Sequence, residues 1–362
     1  MPRILVRILA AVFALAFVVC TVPILFVHAA GSRLLQPQIY KEALIREHFY
    51  DQFPALAADL ATRAETYDRW MRAIRNDATE DSPVSAFFQL APADKETLLG
   101  AVVPPSYVQR QTEKSLDQFF GWLHSGASVP AVTIELDELK RRLAAPETEA
   151  TYVRILQTKP PCTAAQLQAT GGIPVDCCPP PEMMLQVRRG FRTIMDQVIE
   201  EVPETLDLFT VASGHRPADE AVEKLADAKA RILWFEWMAW WSPLAPAALL
   251  LLTALCAARS LRSRLLWCGI PCVLAGAVST ALALSAAPIA DWTSACLVRP
   301  TIPPFAPDAV VDMATGLATE VLQPAIAAAL HSSIALALAG LAAAVVGAIV
   351  KSRPTPADGR QK

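Results

Sequence analysis

The chain has 362 residues, a net charge of −3 and 53% hydrophobic residues. Only 19% of its residues are charged, against about 25% in an ordinary soluble domain, and its mean hydropathy is +0.33. The apolar excess is concentrated in blocks, which is typical of membrane-spanning helices. The small negative charge provides no basic surface for nucleic acid. We therefore expect the lipid bilayer as a partner and exclude nucleic acid.

The first apolar block, residues 1–30, is predicted to be an N-terminal transmembrane anchor. Its uninterrupted apolar part, residues 8–27, matches the length needed to cross a hydrocarbon core of about 30 Å. The alternative is a cleaved secretory signal peptide, because Val27 and Ala29 form an acceptable cleavage pattern. Apolar regions of signal peptides usually have about 7–15 residues, so the length favours the anchor. Both interpretations export the residues that follow.

Three further apolar blocks are predicted to cross the bilayer. Short loops rich in Lys and Arg stay in the cytoplasm, so the arginine-rich loop 259–264 and the basic tail 351–362 are expected inside. The loop 288–324 contains only Arg299 as a basic residue and is expected outside. The blocks themselves, taken as transmembrane helices two to four, are residues 233–258, 265–287 and 325–350.

Residues 31–232 lie between the first two spans, have the length of one domain and are predicted to be helical. A first helix is expected to stop before Pro54, which suits the first turn of the next helix. Apolar residues at helical spacing predict another helix over 104–126, ending at a glycine. Residues 131–136, with the sequence AVTIEL, suit one short strand. From Pro217 onward no helix breaker precedes the second span, which predicts one continuous helix running into the membrane.

These patterns predict a mainly α fold. It consists of four transmembrane helices and an all-α domain, allowing one short β piece, inserted between the first and second spans. The predicted location is the plasma (inner) membrane, where the chain is a multi-pass protein with both termini in the cytoplasm. Residues 31–232 and 288–324 are then extracytoplasmic.

A cluster of tryptophans lies in the first third of the second span. Indoles concentrate at the membrane–water interface because their ring is apolar and their N–H group needs a wet partner. This favours an interfacial aromatic belt over a binding cage. The belt residues are Trp234, Trp237, Trp240 and Trp241.

The fourth span contains one polar cluster, His331 with Ser332 and Ser333. Intramembrane histidines that are not on an ion pathway are usually hydrogen-bonded to a neighbouring helix, and we expect this for His331. The third and fourth spans are also rich in Ala and Gly, which lets helix backbones approach closely. We therefore expect these two helices, whose small residues include Gly276, Gly340 and Gly347, to pack on each other.

Four cysteines fall on the predicted outer side, where oxidising conditions favour disulfides. A bridge from Cys162 to either Cys177 or Cys178 closes a loop of about 16 residues, which stabilises a fold by roughly 3 kcal/mol in the chain-entropy model. Adjacent cysteines rarely bond to each other, so one of Cys177 and Cys178 is left over. Cys296 is its expected partner in a second bridge.

Other uses of these cysteines fit the spacing less well. A redox centre typically has a C-x-x-C pair, whereas the spacing here is C-x14-C-C. A zinc site needs four convergent ligands, and the nearest histidines, His124 and His215, are distant in sequence. The chain also has no nucleophile elbow, zincin motif, P-loop or dinucleotide fingerprint. We predict no catalytic residue, no metal and no cofactor.

The motif PPCT at residues 160–163 is followed by CCPPP at 177–181 and then by a long helical pattern. In this respect the chain resembles uncharacterised bacterial integral membrane proteins with an N-terminal anchor and a large exported helical domain. The resemblance covers residues 1–235. It implies the same layout and carries no assigned activity.

Three hypotheses about function follow from the sequence. The first is a non-enzymatic envelope protein that binds, senses or assembles through its disulfide-stabilised exported domain, with another envelope protein or a small ligand as partner. The second is a component of a transporter or channel, with the exported domain as its gate. The third is an extracytoplasmic thiol oxidoreductase.

Overall fold

The chain is mainly helical in a computed structural model, which confirms the predicted fold class. The structure describes residues 3–75, 90–164, 166, 176–213, 218–257, 261–298, 300, 302 and 306–350. It divides into two compact units. The bundle unit comprises Met1–Ile39, Asp227–Ala295 and Ala318–Lys362, and the helical domain comprises Tyr40–Ala226 and Cys296–Leu317.

The described elements, in chain order, are α1 (Arg3–Leu34), α2 (Pro37–Arg46), α3 (Phe49–Arg75), α4 (Pro92–Val102), α5 (Pro105–Leu123), β1 (Thr133–Glu135), α6 (Asp137–Leu143), α7 (Pro146–Gln157), α8 (Met184–Glu201), β2 (Thr205–Asp207), α9 (Leu208–Ser213), α10 (Ala218–Trp241), α11 (Leu244–Ala257), α12 (Leu261–Val298) and α13 (Asp308–Ile349).

Four helical segments are long and apolar enough to cross a membrane, in agreement with the four predicted spans. They are Ile8–Leu34, Val222–Cys256, Leu261–Ala286 and Asp308–Ile349.

The helices extend beyond the predicted span limits. Residues 259–264 and 288–324 were predicted as loops, yet α12 already begins at Leu261 and continues to Val298, and α13 begins at Asp308. Hydropathy identifies only the part of a helix that matches the hydrocarbon core. Backbone hydrogen bonds continue past that limit wherever the sequence contains good helix formers.

The second predicted span, 233–258, overlaps the candidate span Val222–Cys256, but its helix is interrupted. The helix that begins at Ala218 does continue into the tryptophan cluster, but it ends at Trp241, and α11 starts at Leu244. Pro243 causes the break, because a proline lacks the N–H that would bond the carbonyl four residues earlier. That carbonyl belongs to Ala239.

The predicted helix boundary at Pro54 is wrong. The chain breaks before that point, at His48, whose positive φ of 52° places it in the left-handed region. A left-handed residue ends a helix because the next amide can no longer continue the ladder. Pro54 then lies inside α3, where it removes one backbone hydrogen bond without ending the helix.

The helical domain is built around a core formed by α4, α7 and α8. The Tyr152 and Phe191 rings stack with their centroids 4.4 Å apart and an interplanar angle of 12°. Burial raises the pKa of the Tyr152 hydroxyl because the phenolate would lose its hydration. The core residues are Leu90, Leu98, Tyr152, Ile155, Leu156, Val187 and Phe191.

The predicted strand at 131–136 is present as β1, which pairs with an unpredicted antiparallel strand, β2. On its other edge β1 is capped by α5, because the Thr133 and Glu135 amides donate to the side-chain carbonyls of Gln118 and Gln111. The three residues of β2 are too few to show an alternating pattern in the sequence. The pairing of β1 with β2 and the two glutamine contacts are therefore visible only in the structure.

In the bundle unit, α12 and α13 pack at backbone contact along one seam of small residues, as predicted. A Cβ atom at Gly276 would lie 2.6 Å from the amide nitrogen of Ala337 and 2.7 Å from the carbonyl oxygen of Ser333. A Cβ atom at Gly340 would lie 2.7 Å from the amide nitrogen of Val273. We call this contact the small-residue seam. Its members are Gly269, Cys272 and Gly276 on α12, and Ser333, Ala337, Gly340 and Ala344 on α13.

The seam predicts that Gly276→Leu destabilises the bundle while a neighbouring substitution does not. The new side chain would have to displace the α13 backbone, and overpacking of this kind typically costs about 1–3 kcal/mol. Thermal unfolding of the full chain in detergent measures the loss. Ala277→Leu is the matched control, because Ala277 is exposed. Equal melting temperatures for the two variants would contradict the close approach.

Candidate functional site

The cysteine segment singled out in the sequence forms a closed neck in the helical domain. Cys162 is disulfide-bonded to Cys177, with their Cα atoms 4.8 Å apart. Next to this bond, the Cys162 amide donates to the Cys178 carbonyl at 2.9 Å and the Cys178 amide donates to the Pro160 carbonyl at 2.8 Å. We call this arrangement, residues 160–162 and 177–178, the neck. The chain is therefore crosslinked by one covalent bond and two backbone hydrogen bonds.

The neck joins the two helices that supply most of the core. It follows the end of α7 at Gln157 and precedes the start of α8 at Met184. Lys159, the residue immediately before the neck, forms an ion pair with Asp94 of α4, and both side chains are largely buried. Because the bridge closes the α7–α8 connection at its base, it limits how far Tyr152 and Phe191 can separate in the unfolded chain.

Of the two candidate partners of Cys162, the structure bonds Cys177 and leaves Cys178 free. Cys177 is 2% exposed and bonded, whereas Cys178 is partly buried and carries a free thiol. Cys178 does not form the predicted second bridge, and the side chain of its expected partner, Cys296, lies outside the described residues. In the bundle unit Cys20, Cys256, Cys268 and Cys272 are free as well.

Lys95 is a feature of the helical domain that the sequence analysis missed. It lies on α4 with 0% of its surface exposed, and its ammonium group donates to the Thr62 hydroxyl of α3 at 3.0 Å. A buried ammonium must be hydrogen-bonded to be tolerated. The signal was present, since Lys95 stands three and seven residues before the buried Leu98 and Val102, on the apolar face of α4.

Glu138 of α6 is held between two arginines. Arg142 donates to its carboxylate at 2.9 Å and 3.1 Å, and Arg110 of α5 binds the other carboxylate oxygen. Hydrogen bonds from Arg110 and Arg142 hold the pKa of Glu138 below its ordinary value. The cluster joins α5 to α6 beside β1.

The four tryptophans of the predicted belt are all exposed in the bundle unit. Their exposed fractions are between 56% and 71%, and the Trp237 and Trp241 rings lie 6.4 Å apart. Exposed indoles at one end of an apolar segment suit an interface with headgroups. The belt itself stays a prediction, because no bilayer is present to test it. The tryptophans are Trp234, Trp237, Trp240 and Trp241.

Beside these tryptophans, the carbonyl group released by Pro243 is bound by two side chains. The Ala239 carbonyl lies 2.9 Å from Nδ1 of His28 in α1 and accepts a hydrogen bond of 3.0 Å from the Ser242 hydroxyl. Gly31 allows the contact, because a Cβ atom there would lie 2.3 Å from the Cβ of Ala239. This contact between α1 and α10 was not predicted. The signal in the sequence was His28, a polar residue near the end of an apolar block.

His331 does not make the expected contact with a neighbouring helix. Its side chain is exposed on α13, and within the described residues it has no hydrogen-bond partner there. Ser333, two residues later, is fully buried in the small-residue seam and donates to the Ala329 carbonyl of its own helix at 2.7 Å. A step of two residues rotates a helix by about 200°, so His331 faces away from α12.

Comparisons of the chain with protein-family models, with curated proteins and with solved structures found no match. Among the described residues, no three His, Cys, Asp or Glu side chains are grouped so that they could hold a metal ion. A function must therefore be inferred from the geometry of this chain alone. The resemblance based on the PPCT and CCPPP motifs stays a prediction.

Removal of the disulfide should destabilise the helical domain. Cys162→Ser and Cys177→Ser each open a loop of about 15 residues, which predicts a loss of about 3 kcal/mol in the free energy of unfolding. Denaturant unfolding of the full chain under oxidising conditions measures this loss. Cys178→Ser is the matched control and should leave stability unchanged. A large loss in Cys178→Ser with none in Cys177→Ser would reverse the assignment of the bridge.

The Glu138 cluster predicts a pH-dependent contribution to stability. A carboxyl group whose pKa is lowered in the folded state stabilises the fold above its unfolded pKa, about 4.3 for glutamate. The contribution is lost as the pH falls through the folded pKa. We expect Glu138→Gln to cost about 1 kcal/mol at pH 7, because the side chain is 27% exposed and partly screened. The difference from the parent chain should therefore be smaller at a pH below about 4.3 than at pH 7, and it should keep falling as the pH passes the lowered folded pKa.

Measuring unfolding at both pH values tests this, and Glu96→Gln on an exposed turn of α4 is the control. A penalty for Glu138→Gln that persists unchanged at low pH would show that packing, and not charge, is responsible.

Proposed function

We propose that this chain is a multi-pass protein of the inner membrane that acts in binding, sensing or assembly within the envelope, without a reaction of its own. Its exported part is the helical domain, and its partner is another envelope protein or a small ligand. The single observation that supports this most is the Cys162–Cys177 disulfide in a chain with four candidate membrane spans. Structural disulfides persist in oxidising compartments, so the neck favours an extracytoplasmic position.

The distribution of basic residues supports the same orientation. Arg262 and Arg264 are exposed at the start of α12, and short basic segments are retained in the cytoplasm. The segment Val222–Cys256, which ends shortly before these arginines, is long enough to cross a hydrocarbon core once. The chain that precedes this segment is then on the opposite side from the arginines, and so is the neck.

The packing of α1 favours a retained anchor over a cleaved signal peptide. Phe17 is 3% exposed and belongs to a cluster with Cys272 and Ala275 of α12. Cleavage after Ala29 would remove Phe17 from this cluster and His28 from the Ala239 carbonyl. The bundle would lose both an apolar contact and the hydrogen bond that compensates for Pro243.

The polar groups inside the spans do not favour a channel. Where the structure describes the four candidate spans, their buried polar side chains are four hydroxyl groups, Thr21, Thr253, Ser279 and Ser333, and one ammonium group, Lys229. Lys229 is the single ionisable group among these five and lies near the start of the segment Val222–Cys256. Thr253 and Ser333 donate to carbonyls of their own helices. Conduction pathways are usually marked by ionisable groups that face one another, and His331 faces outward.

The orientation is tested by cysteine accessibility in intact cells. On a chain whose free cysteines are replaced, Glu96→Cys should react with a membrane-impermeant maleimide before lysis, and Arg262→Cys should react only after lysis. Both parent residues are exposed, so access to solvent within the protein is matched. The opposite order of labelling would overturn the proposed topology.

The proposed absence of a reaction is tested by thiol chemistry on the purified full chain. A structural bridge should resist a glutathione redox buffer, and the chain should not accelerate reduction of a disulfide substrate. The Cys177→Ser variant, which lacks the bridge, gives the baseline. Substrate turnover that is present in the parent chain and absent from Cys177→Ser would replace the proposal with a thiol oxidoreductase.

A further inference from the structure

An apolar groove lies between α1 and α12 within the bundle unit. Its volume is about 580 Å³, which falls within the range of about 300–1,000 Å³ seen for small-molecule sites. The groove is long, since its α12 wall runs from Leu266 to Leu274, or about 12 Å of helix. Its α1 wall includes Ala11, Ala14 and Leu15, and its α12 wall includes Leu266, Ile270 and Leu274.

The groove exists because small residues on α1 face large ones on α12. Two alanines, three residues apart on one face of α1, leave space that leucine side chains would fill. The groove also opens sideways, because Leu15 is 67% exposed and Ile270 is 53% exposed. All of its walls belong to predicted spans, where no water competes for the space, so its occupant must be apolar.

A positive charge stands at one end of this groove. On α12 the residues Arg262, Leu266, Ile270 and Leu274 follow one another at intervals of four, so they form one stripe along the helix. Arg262 is exposed and lies in the first turn of α12, where the positive end of the helix dipole adds to its charge.

Trp267, which also lines the groove, is one turn further into the helix. Indoles mark the headgroup level of a bilayer, so the change from charged to apolar residues on this stripe takes place where lipid headgroups meet acyl chains. The site therefore presents a cationic end at headgroup depth and an apolar trough directly beneath it.

We infer that this groove binds one acyl chain of an anionic phospholipid, whose phosphate group is held by Arg262. The choice of the cytoplasmic leaflet rests on the proposed orientation, but the binding itself does not. Basic residues beside a cleft between transmembrane helices are a known form of anionic headgroup recognition. The two-part chemistry of the site matches the two parts of such a lipid.

A second copy of the chain fits the groove less well. In a two-fold dimer with its axis along the membrane normal, equivalent residues of both copies lie at the same depth. The exposed Arg262 at the end of the groove would then approach its own copy across an apolar interface, and like charges repel strongly there. A lipid phosphate neutralises the same charges.

Native mass spectrometry of the full chain tests the inference directly. The protein, purified in detergent, is titrated with phosphatidylglycerol or with phosphatidylcholine of the same acyl chains, and the retained lipid is counted. We expect preferential retention of phosphatidylglycerol. Loss of one basic residue near the headgroup should reduce that retention about 5-fold in Arg262→Ala, towards the level of phosphatidylcholine. Arg33→Ala is the matched control, because it removes an exposed arginine at the other end of α1.

A second pair of variants tests the apolar trough. Ala14→Trp should fill it and lower the retention of both lipids. Val12→Trp adds the same ring at a position that is 55% exposed and does not line the groove, so its retention should be unchanged. A loss of lipid retention in Ala14→Trp, in which Arg262 is unchanged, also distinguishes a bound lipid from a free phosphate ion. A phosphate ion would need only the charged end of the site. The melting temperature of each variant shows that it remains folded.

Equal retention of the two lipids, or no effect of Arg262→Ala, would overturn the inference. A lipid-free dimer that crosslinks through Leu15→Cys would overturn it in favour of a second copy. Because the measurement is made in detergent, it does not depend on orientation. Its failure would therefore leave the proposed exported domain untouched, and a failure of the labelling experiment would leave the lipid site untouched.

Discussion

Backbone hydrogen bonding is the constraint on which the bundle unit depends. In hydrocarbon an unpaired carbonyl or amide group costs several kcal/mol, so a segment that crosses it must be helical or find another partner. The structure shows both solutions at one place. Pro243 frees the Ala239 carbonyl, and that oxygen is bound by Ser242 of the same segment and by His28 of a helix 211 positions away in sequence. Gly31 brings the two backbones close enough for this contact. One proline thus accounts for a histidine and a glycine in α1 and for a serine in the turn before α11.

Side-chain size gives α12 its two different faces. Toward α13 it presents Gly269, Cys272 and Gly276, and the two backbones touch. Helices in lipid have no hydrophobic reason to associate, so this close van der Waals contact supplies the attraction. Toward α1, the same helix presents Leu266 and Ile270, and the alanines of α1 do not fill the space between them. Close packing on one face and a trough on the other follow from the same rule, because backbone separation is set by the side chains at the contact.

The helical domain is stabilised by contacts of another kind. Its core is a conventional apolar one, with the stacked Tyr152 and Phe191 rings at its centre. The neck then adds a covalent restraint between the helices that supply those rings. The buried ammonium of Lys95 adds a directional contact to Thr62 of α3. A polar group in this position is tolerated only when it is bonded, so it restricts how α3 and α4 can be arranged.

By itself the sequence determined the mainly α fold, the number of apolar helices, the strand β1 and the close packing of α12 on α13, because these follow from composition and from periodicity within one segment. It also limited the expected partner of Cys162 to Cys177 or Cys178, because the length of the closed loop depends only on spacing along the chain. Only the tertiary structure decided that Cys177 forms the bond, that His331 faces outward, that Lys95 is buried and that Ala239 is bound by His28. The pairing of β1 with β2 and the groove between α1 and α12 belong to the same group. Each of these depends on which residues of distant segments come within a few ångströms of one another, and a pattern read along a single segment contains no such distances.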